Sequence, residues 1–146
     1  MSEEHFVNVL NANLVSAYRL AKLAIRPMMK ARHGRIILIS SAGALAGVPG
    51  QTNYAAAKSG LVGFGRSLAK EVASRGITVN IIAPGWTDTD MVSHLTDDQR
   101  TAAISEVPLG RFAHPTEIAD AALYLADAAY VTGVVLPIDG GAAMGI

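Results

Sequence analysis

The chain has 146 residues with 12 basic and 12 acidic side chains, and its mean hydropathy is +0.32. This length accommodates one domain with a substantial core, and the neutral balance lacks the basic face that nucleic-acid binding requires. Cysteine is absent, which excludes disulfides and thiol chemistry, and the four histidines lack the spacing of paired metal ligands. No apolar run reaches membrane-spanning length and the acidic N-terminus is unlike a signal peptide. We therefore expect a cytoplasmic protein without metal, nucleic-acid or membrane partners.

The N-terminal part of the chain combines a long helical pattern with a short apolar one. Apolar residues recur at steps of three and four from Glu3 to Ala31, which predicts a helix that His33-Gly34 ends. Three asparagines inside this range are poor helix formers, and we expect one of them to bend the helix. The stretch from Arg35 to Ser40 contains an unbroken apolar run, which predicts a parallel strand covered on both faces.

The middle of the chain predicts a loop, a second long helix and a second strand. The loop runs from Ser41 to Thr52, and the helix follows from Asn53 or Tyr54 to Arg75, where Gly76 ends it. Apolar residues cover more than one face of this helix, which favours packing on a second subunit over a single thick core. The predicted strand is Thr78 to Ala83, and Pro84-Gly85 ends it.

The last third of the chain predicts two helices and a final strand. Thr96 and Gln99 form a capping box, so a short helix is expected from Asp97 to Ser105 within a long irregular connection. Pro115 fits the first turn of a third long helix. The third strand is Val134 to Ile138, and Asp139-Gly140-Gly141 leads into a short tail.

The alternation of helices and strands predicts an α/β fold with a doubly wound parallel sheet, three strands and three main helices. Its crossovers are expected to be right-handed. Ligands of such sheets bind beyond the carboxyl ends of the strands. Ser40-Ser41, Pro84-Gly85 and the start of the Tyr54 helix all fall at those ends, so we expect them to converge on one crevice.

Tyr54 and Lys58 are four residues apart, and this spacing stacks their side chains on one face of a helix. Such a pair arises by chance in roughly one chain of this composition in ten, and it is then a surface contact. A cation about 6 Å from a phenol, at an effective dielectric near 20, stabilises the phenolate by roughly 2–3 kcal/mol. The pair therefore predicts a proton donor if it is partly shielded from water.

Spaced motifs run along the whole chain. They are Phe6-x-x-Val9-x-x-x-Asn13-Leu14, Ser41 thirteen residues before Tyr54, Tyr54-x-x-x-Lys58, Val79-Asn80-x-x-x-Pro84-Gly85 and Asp139-Gly140-Gly141. Together they resemble the short-chain dehydrogenase/reductase family, which has a Rossmann-like fold. Within it, Asn53–Lys58, Glu71–Asn80 and Thr89-Asp90-Met91 are similar to 3-oxoacyl-[acyl-carrier-protein] reductases.

The resemblance implies a role for each matching residue. Tyr54 would be the general acid and would also bind the cofactor. Lys58 would make Tyr54 a stronger acid and bind the nicotinamide ribose, and Ser41 would hold the substrate carbonyl. Asn13 would bend its helix so that a backbone carbonyl holds a water of the proton relay. Pro84, Gly85, Thr87 and Thr89 would also bind the cofactor, and Thr87 would meet the nicotinamide carboxamide through its backbone.

The resemblance also implies the cofactor and the partners. NADPH is expected, although NADH is not excluded, and the substrate would be an acyl-carrier-protein thioester or a small ketone. A homo-oligomer, dimer or tetramer, is expected. Arg32 and Arg75 end the two long helices, where they would meet an acidic carrier protein or serve as ordinary helix C-terminal charges.

One family motif is missing from this sequence. No G-x-x-x-G-x-G pattern occurs, so residues 1–146 resemble the C-terminal part of the domain without the turn that cradles the pyrophosphate. We expect a truncated or mis-started chain in which the Arg35–Ser40 strand has an unpaired edge. Two alternatives stay open: a reductase of another ketone or alcohol, and a non-catalytic fragment that associates with a full-length relative.

Overall fold

A computed structural model describes residues 1–144 as a parallel sheet of three strands with six α-helices. The strands are β1 (Gly34–Ile39), β2 (Ile77–Pro84) and β3 (Val135–Ile138). The helices are α1 (Glu3–Leu10), α2 (Ser16–Ala31), α3 (Ala42–Ala46), α4 (Thr52–Val72), α5 (Asp97–Ser105) and α6 (Pro115–Asp127). Both strand pairs are parallel, which confirms the predicted fold class. No helix within residues 1–144 combines the length and the apolar character needed to cross a membrane.

The central strand β2 is buried on both faces, which is why its residues are almost all apolar. On one face, Val79 and Ile81 pack against Leu68 of α4, and α2 contributes to the same cluster. On the other face, Ile82 packs against Leu125 of α6. Helices thus cover both faces of the sheet, as the doubly wound prediction requires.

The two crossovers differ in hand. The chain passes from β1 to β2 through α4 and from β2 to β3 through α6, so the strand order advances in one direction. The two helices nevertheless pack on opposite faces, and crossovers that advance the same way on opposite faces have opposite hands. The prediction of uniformly right-handed crossovers is therefore wrong for one of them. Since α2 and α4 already occupy the first face, α6 buries its apolar stripe on the second.

The first predicted helix is confirmed over Glu3–Ala31, but it is not uniform. One π-helical turn, Asn11–Val15, separates α1 from α2. The helix ends at Ala31 as predicted. The residue that stops it is Arg32, which takes the left-handed conformation with φ 51°, and not the predicted His33-Gly34. Gly34 instead begins β1, where a Cβ atom would approach Met28 Sδ within 2.6 Å.

The region around the end of β1 differs from its prediction in two ways. Ile39 is 45% exposed, so the second face of β1 is only partly covered, contrary to expectation. The segment predicted as a loop contains α3, which Ser41 caps by accepting a hydrogen bond from the Ala44 N–H (3.3 Å). The cap supplies a partner for one of the first free N–H groups of the helix. Within residues 1–144, β1 pairs with β2 alone, and its other edge is open as predicted.

The caps of α5 and α6 agree with the sequence. The Thr96–Gln99 capping box is present, and α5 spans the predicted residues. Pro115 occupies the first turn of α6, and the Glu117 carboxylate accepts the His114 N–H (2.7 Å). Glu117 also pairs with both terminal nitrogens of Arg111, at 2.7 and 2.8 Å. The Arg111–Glu117 ion pair thus links the first turn of α6 to the segment that precedes the helix.

Acid should remove the stabilisation that Glu117 provides. Hydrogen bonds from Arg111 and then from the His114 backbone lower the pKa of Glu117 to about 2 from 4.5. A lowered pKa in the folded state stabilises the fold above the unfolded pKa, and this contribution is lost as pH falls through the folded pKa. We expect the free energy of unfolding to fall between about pH 4.5 and 2 more steeply in the native chain than in Glu117→Gln. Urea unfolding at neutral and acid pH measures the difference, and equal pH dependence of the two chains would contradict the prediction.

Candidate active site

Tyr54 and Lys58 lie on the first turns of α4, beside the carboxyl end of β1. The Lys58 ammonium is 5.6 Å from the centroid of the Tyr54 ring, close to the predicted separation. It also donates a hydrogen bond to the Ile39 carbonyl (3.0 Å). Burial lowers the pKa of Lys58 from its ordinary value. Because this nitrogen is partly shielded from water, its charge acts on a neighbouring phenolate more strongly than it would in bulk solvent.

The Ile39 carbonyl is a site group that the sequence interpretation missed. The Ser40 N–H donates to the Ile82 carbonyl (2.7 Å), so the backbone groups of Ser40 face β2. Adjacent residues of a strand direct their backbone groups to opposite sides, so the Ile39 carbonyl faces the open edge of β1. A functional main-chain carbonyl cannot be recognised from residue type, because every residue has one. Only its place at a strand end beside Ser41 could have indicated it.

Ser41 begins the segment that lies along α4. The neighbouring Ser40 hydroxyl donates to the Lys58 carbonyl (2.9 Å), and the Ser59 hydroxyl donates to the Ala44 carbonyl (3.4 Å). These bonds fix the Ser41 turn and α3 against the helix that carries Tyr54 and Lys58. Ser41 Oγ accepts the α3 cap bond, and its own proton is left to donate. The structure therefore brings the predicted serine to the same end of the fold as the predicted tyrosine and lysine.

Asn13 lies in the π-helical turn, half-buried, and its side-chain amide donates to the Val9 carbonyl (3.0 Å). Single π turns inside α-helices occur frequently at functional sites. Asn13 and Ile39 line one cavity of about 320 Å³ between α2 and the open edge of β1. Through this cavity Asn13 lies on the same side of the sheet edge as the Ile39 residue that Lys58 contacts. The π turn is the irregularity that the structure places at the predicted position of the bend.

Pro84 and Gly85 lie at the carboxyl end of β2, next to the turn after β3. The Gly85 N–H donates to the Ile138 carbonyl (2.9 Å), and a Cβ atom on Gly85 would meet Asp139 Cα at 2.8 Å. The Asp139 carboxylate accepts the backbone N–H groups of Gly141 (2.9 Å) and Ala143 (2.8 Å). The glycine therefore lets the chain leave β2 in close contact with the Asp139 turn.

The backbone N–H and C=O of Thr87 point away from its bridge partner Ala113. The Ala113 N–H donates to the Trp86 carbonyl and the Asp88 N–H donates to the Ala113 carbonyl, both at 2.9 Å. In such a parallel bridge the N–H and C=O of Thr87 itself face the opposite side. The Thr87 hydroxyl donates to the nearby Gly85 carbonyl (3.1 Å). The backbone of Thr87, and not its side chain, is therefore the group left for the expected nicotinamide contact.

Thr89 is not brought into this arrangement. It is exposed, and its carbonyl accepts the Val92 N–H (3.0 Å) at the start of a short 3₁₀ turn. Nothing within residues 1–144 connects its side chain to Tyr54 or Lys58. The same described part of the chain holds no cluster of three His, Cys, Asp or Glu side chains that could bind a metal ion.

Comparison with known proteins identifies the family of the chain. A family model described as enoyl-(acyl carrier protein) reductase, of the short-chain dehydrogenase/reductase type, matches residues 1–143. The chain belongs to the short-chain dehydrogenase/reductase family. This family assignment confirms the resemblance that the spaced motifs indicate.

Relatives in this family are named 3-oxoacyl-[acyl-carrier-protein] reductase. The chain is 52% identical over 143 residues to the one from Escherichia coli strain K12, with 97% of this chain and 59% of the relative covered. It is 54% identical over 145 residues to the one from Chlamydia trachomatis serovar D, with 98% and 58% covered. It is 51% identical to the one from Vibrio harveyi, with 97% and 59% covered. The chain thus spans less than two thirds of the length of the relatives that it matches.

Proposed function

We propose that this member of the short-chain dehydrogenase/reductase family supplies the proton-donating part of a reductase that converts a 3-oxoacyl thioester on acyl carrier protein into its 3-hydroxyacyl form. The supporting observation is the junction at the end of β1, where the Lys58 ammonium contacts the Ile39 carbonyl and lies 5.6 Å from the Tyr54 ring. A phenol beside a half-buried cation is suited to give a proton to a developing alkoxide. Identity of 52% to a reductase named for this reaction supports the substrate class.

The residues present fit the nicotinamide end of NADPH or NADH. Lys58 offers three N–H donors of which one is used by Ile39, and Thr87 directs an N–H and a C=O away from its own bridge. The cofactor, when bound, supplies the hydride. This sequence lacks a Gly-rich turn for the pyrophosphate, so the adenosine half of the cofactor has no counterpart among these residues. We propose NADPH rather than NADH because the matched relatives are named as reductases.

Each side chain then has a defined task. Tyr54 donates its phenolic proton to the carbonyl oxygen of the substrate, and the charge of Lys58 stabilises the phenolate that remains. The Ser41 hydroxyl donates a hydrogen bond to the same carbonyl oxygen. Asn13 opens the helix at its π turn, so that a carbonyl there holds the water that returns a proton to the site. Pro84 and Gly85 form the backbone path from β2 that presents Thr87 to the nicotinamide, and Thr89, although exposed, remains a proposed cofactor contact from the loop that follows.

The reduction of a ketone is favoured over that of a carbon–carbon double bond. The matching family model is described by enoyl reduction, whereas relatives of 50–54% identity are named for 3-oxoacyl reduction. The relatives are identical to this chain at about half of all positions over almost its whole length. Their names therefore indicate the reaction more specifically than the description of a model that covers a whole family. A reductase of another small ketone or alcohol is the alternative within this class.

Arg32 and Arg75 support an acidic carrier protein as partner. The two residues end neighbouring helical segments, and the Arg32 guanidinium donates to the Ser74 carbonyl (3.2 Å). Both are exposed, so two positive charges lie on one small area of surface. Opposite charge on a partner accelerates and orients its docking.

Self-association is proposed on the exposed apolar residues of α2. Leu20 and Leu23 are 69% and 75% exposed, and Gly63 on the neighbouring α4 has no side chain to keep a second chain away. Burial of such residues between copies would release their contact with water. Sedimentation velocity tests the homo-oligomer, dimer or tetramer, and a monomer at micromolar concentration would contradict it.

The decisive experiment measures cofactor binding and turnover by the purified chain. We expect saturable NADPH binding and oxidation of NADPH with a 3-oxoacyl thioester but not with the matching enoyl thioester. A preference for the carrier-bound thioester over the same acyl group on a small thiol should weaken as salt is added, because salt screens the arginines. Turnover of the enoyl thioester alone would reverse the assignment of the reaction.

A non-catalytic role is the second candidate, favoured by the open edge of β1 and the missing Gly-rich turn. In that case the chain associates with a full-length relative instead of acting by itself. Absence of NADPH binding at millimolar cofactor, together with co-elution of the chain with such a relative, would support it. Saturable binding with turnover would exclude it.

A further inference from the structure

Residues 88 to 112 form a loop whose two ends are joined. The Thr87–Ala113 bridge closes it through two backbone hydrogen bonds of 2.9 Å. Inside the loop, Val92, Ala103 and Phe112 make a small buried cluster of their own. The loop is therefore a compact unit that joins the rest of the fold at the Thr87–Ala113 bridge, and its Leu109 N–H also donates to the Gly140 carbonyl after β3 (3.2 Å).

A second set of contacts closes the loop beside the bridge. The Trp86 and Phe112 rings stack with centroids 5.5 Å apart and planes 11° apart. The Arg100 guanidinium of α5 lies 4.5 Å from the centroid of the same Phe112 ring, and it donates to the Asp88 carboxylate at 3.0 Å. Arg100 thus contacts one residue at each end of the loop, next to both strands of the bridge.

We propose that Arg100 is a positioning residue that holds the Thr87–Ala113 bridge closed and so fixes the backbone of Thr87 for the cofactor. The step to the cofactor rests on the proposed function, which assigns that backbone to the nicotinamide. The ion pair holds Asp88, next to Thr87, and the cation–π contact holds Phe112, next to Ala113. Loss of both contacts should therefore free the bridge without disturbing the sheet. The side chains of Arg100 and Asp88 are 37% and 56% exposed, so each contact alone is weak and their combination on one bridge matters.

Hydrogen exchange in the chain without cofactor tests the positioning step. The Asp88 and Ala113 amides report the bridge, and the Ser40 amide, bonded to Ile82, reports the sheet. We expect Arg100→Met to lower the protection of the two bridge amides about tenfold, since each lost contact contributes a few-fold, while Ser40 stays unchanged. Arg100→Lys should restore most of the protection because it keeps the charge. Unchanged bridge amides, or an equal loss at Ser40, would overturn the proposal.

Control variants separate this effect from a general loss of charge. Asp88→Asn removes the ion pair and leaves the cation over Phe112, so it should lower bridge protection less than Arg100→Met. Arg66→Met removes an exposed arginine of α4 that takes no part in these contacts, and it should change none of the three amides. An effect of Arg66→Met as large as that of Arg100→Met would overturn the proposal.

Cofactor titration tests the second step separately. Trp86 is the single tryptophan of the chain, so its fluorescence follows both the stack and binding nearby. We expect the NADPH dissociation constant of Arg100→Met to rise at least threefold and that of Arg66→Met to stay the same. An open bridge with unchanged affinity would overturn the link between Arg100 and the cofactor. No NADPH binding by the native chain would overturn the proposed function instead, and the exchange result would still decide the role of Arg100 at the bridge.

Discussion

Replacing Tyr54 by phenylalanine should lower the turnover of a 3-oxoacyl thioester by about 10²–10⁴-fold, the usual contribution of a positioned general acid. The variant keeps the ring and loses only the hydroxyl, which is the proton donor in the proposed reaction. No hydrogen bond of that hydroxyl occurs within residues 1–144, so the fold loses no contact with it. We expect the melting temperature and NADPH affinity of Tyr54→Phe to remain those of the native chain.

Two variants make this result interpretable. Tyr130→Phe removes the hydroxyl of a fully exposed tyrosine and should leave turnover unchanged. Lys58→Met should reduce both turnover and NADPH affinity, because Lys58 is proposed to serve the phenol and the ribose together. Turnover by Tyr54→Phe above about a tenth of the native rate would refute Tyr54 as the general acid, since that loss is smaller than proton donation contributes.

Replacing Asn80 by alanine should lower the free energy of unfolding by about 2–6 kcal/mol, since each of two partly buried groups left without a partner costs about 1–3 kcal/mol. Asn80 is fully buried in β2. Its side chain donates to the Val131 carbonyl (2.8 Å) and accepts the Val134 N–H (3.3 Å). These bonds join the segment before β3 to the central strand, and alanine leaves both backbone groups without a partner.

Urea unfolding followed by circular dichroism measures this loss. Asn8→Ala, at an exposed position of α1, is the matched control and should change stability by less than about 0.5 kcal/mol. Asn80→Asp keeps the shape and the acceptor but sets a carboxylate against the Val131 carbonyl, so it should destabilise the fold at least as much as alanine. If Asn80→Ala unfolds at the same urea concentration as Asn8→Ala, the two hydrogen bonds do not hold β3 in place.

The sequence alone determined the features that depend on neighbours along the chain. The helix Asp97–Ser105 and its capping box are local, because a cap joins residues three apart. The strands were predicted within about one residue because Gly76 and Pro84-Gly85 end elements through their own backbone preferences. The Tyr54–Lys58 contact follows from the period of the helix that carries both residues.

Only the tertiary structure decided the features that depend on how distant segments meet. The opposite faces of α4 and α6 reflect which side of the sheet was still uncovered, and no local pattern records that. The Ile39 carbonyl meets Lys58 because β1 ends beside α4, with an edge that β2 does not cover. Arg100 and Asp88 come together because their loop closes on itself at the Thr87–Ala113 bridge. Local periodicity determines which face of an element is apolar, whereas the choice of partner for that face is a property of the whole fold.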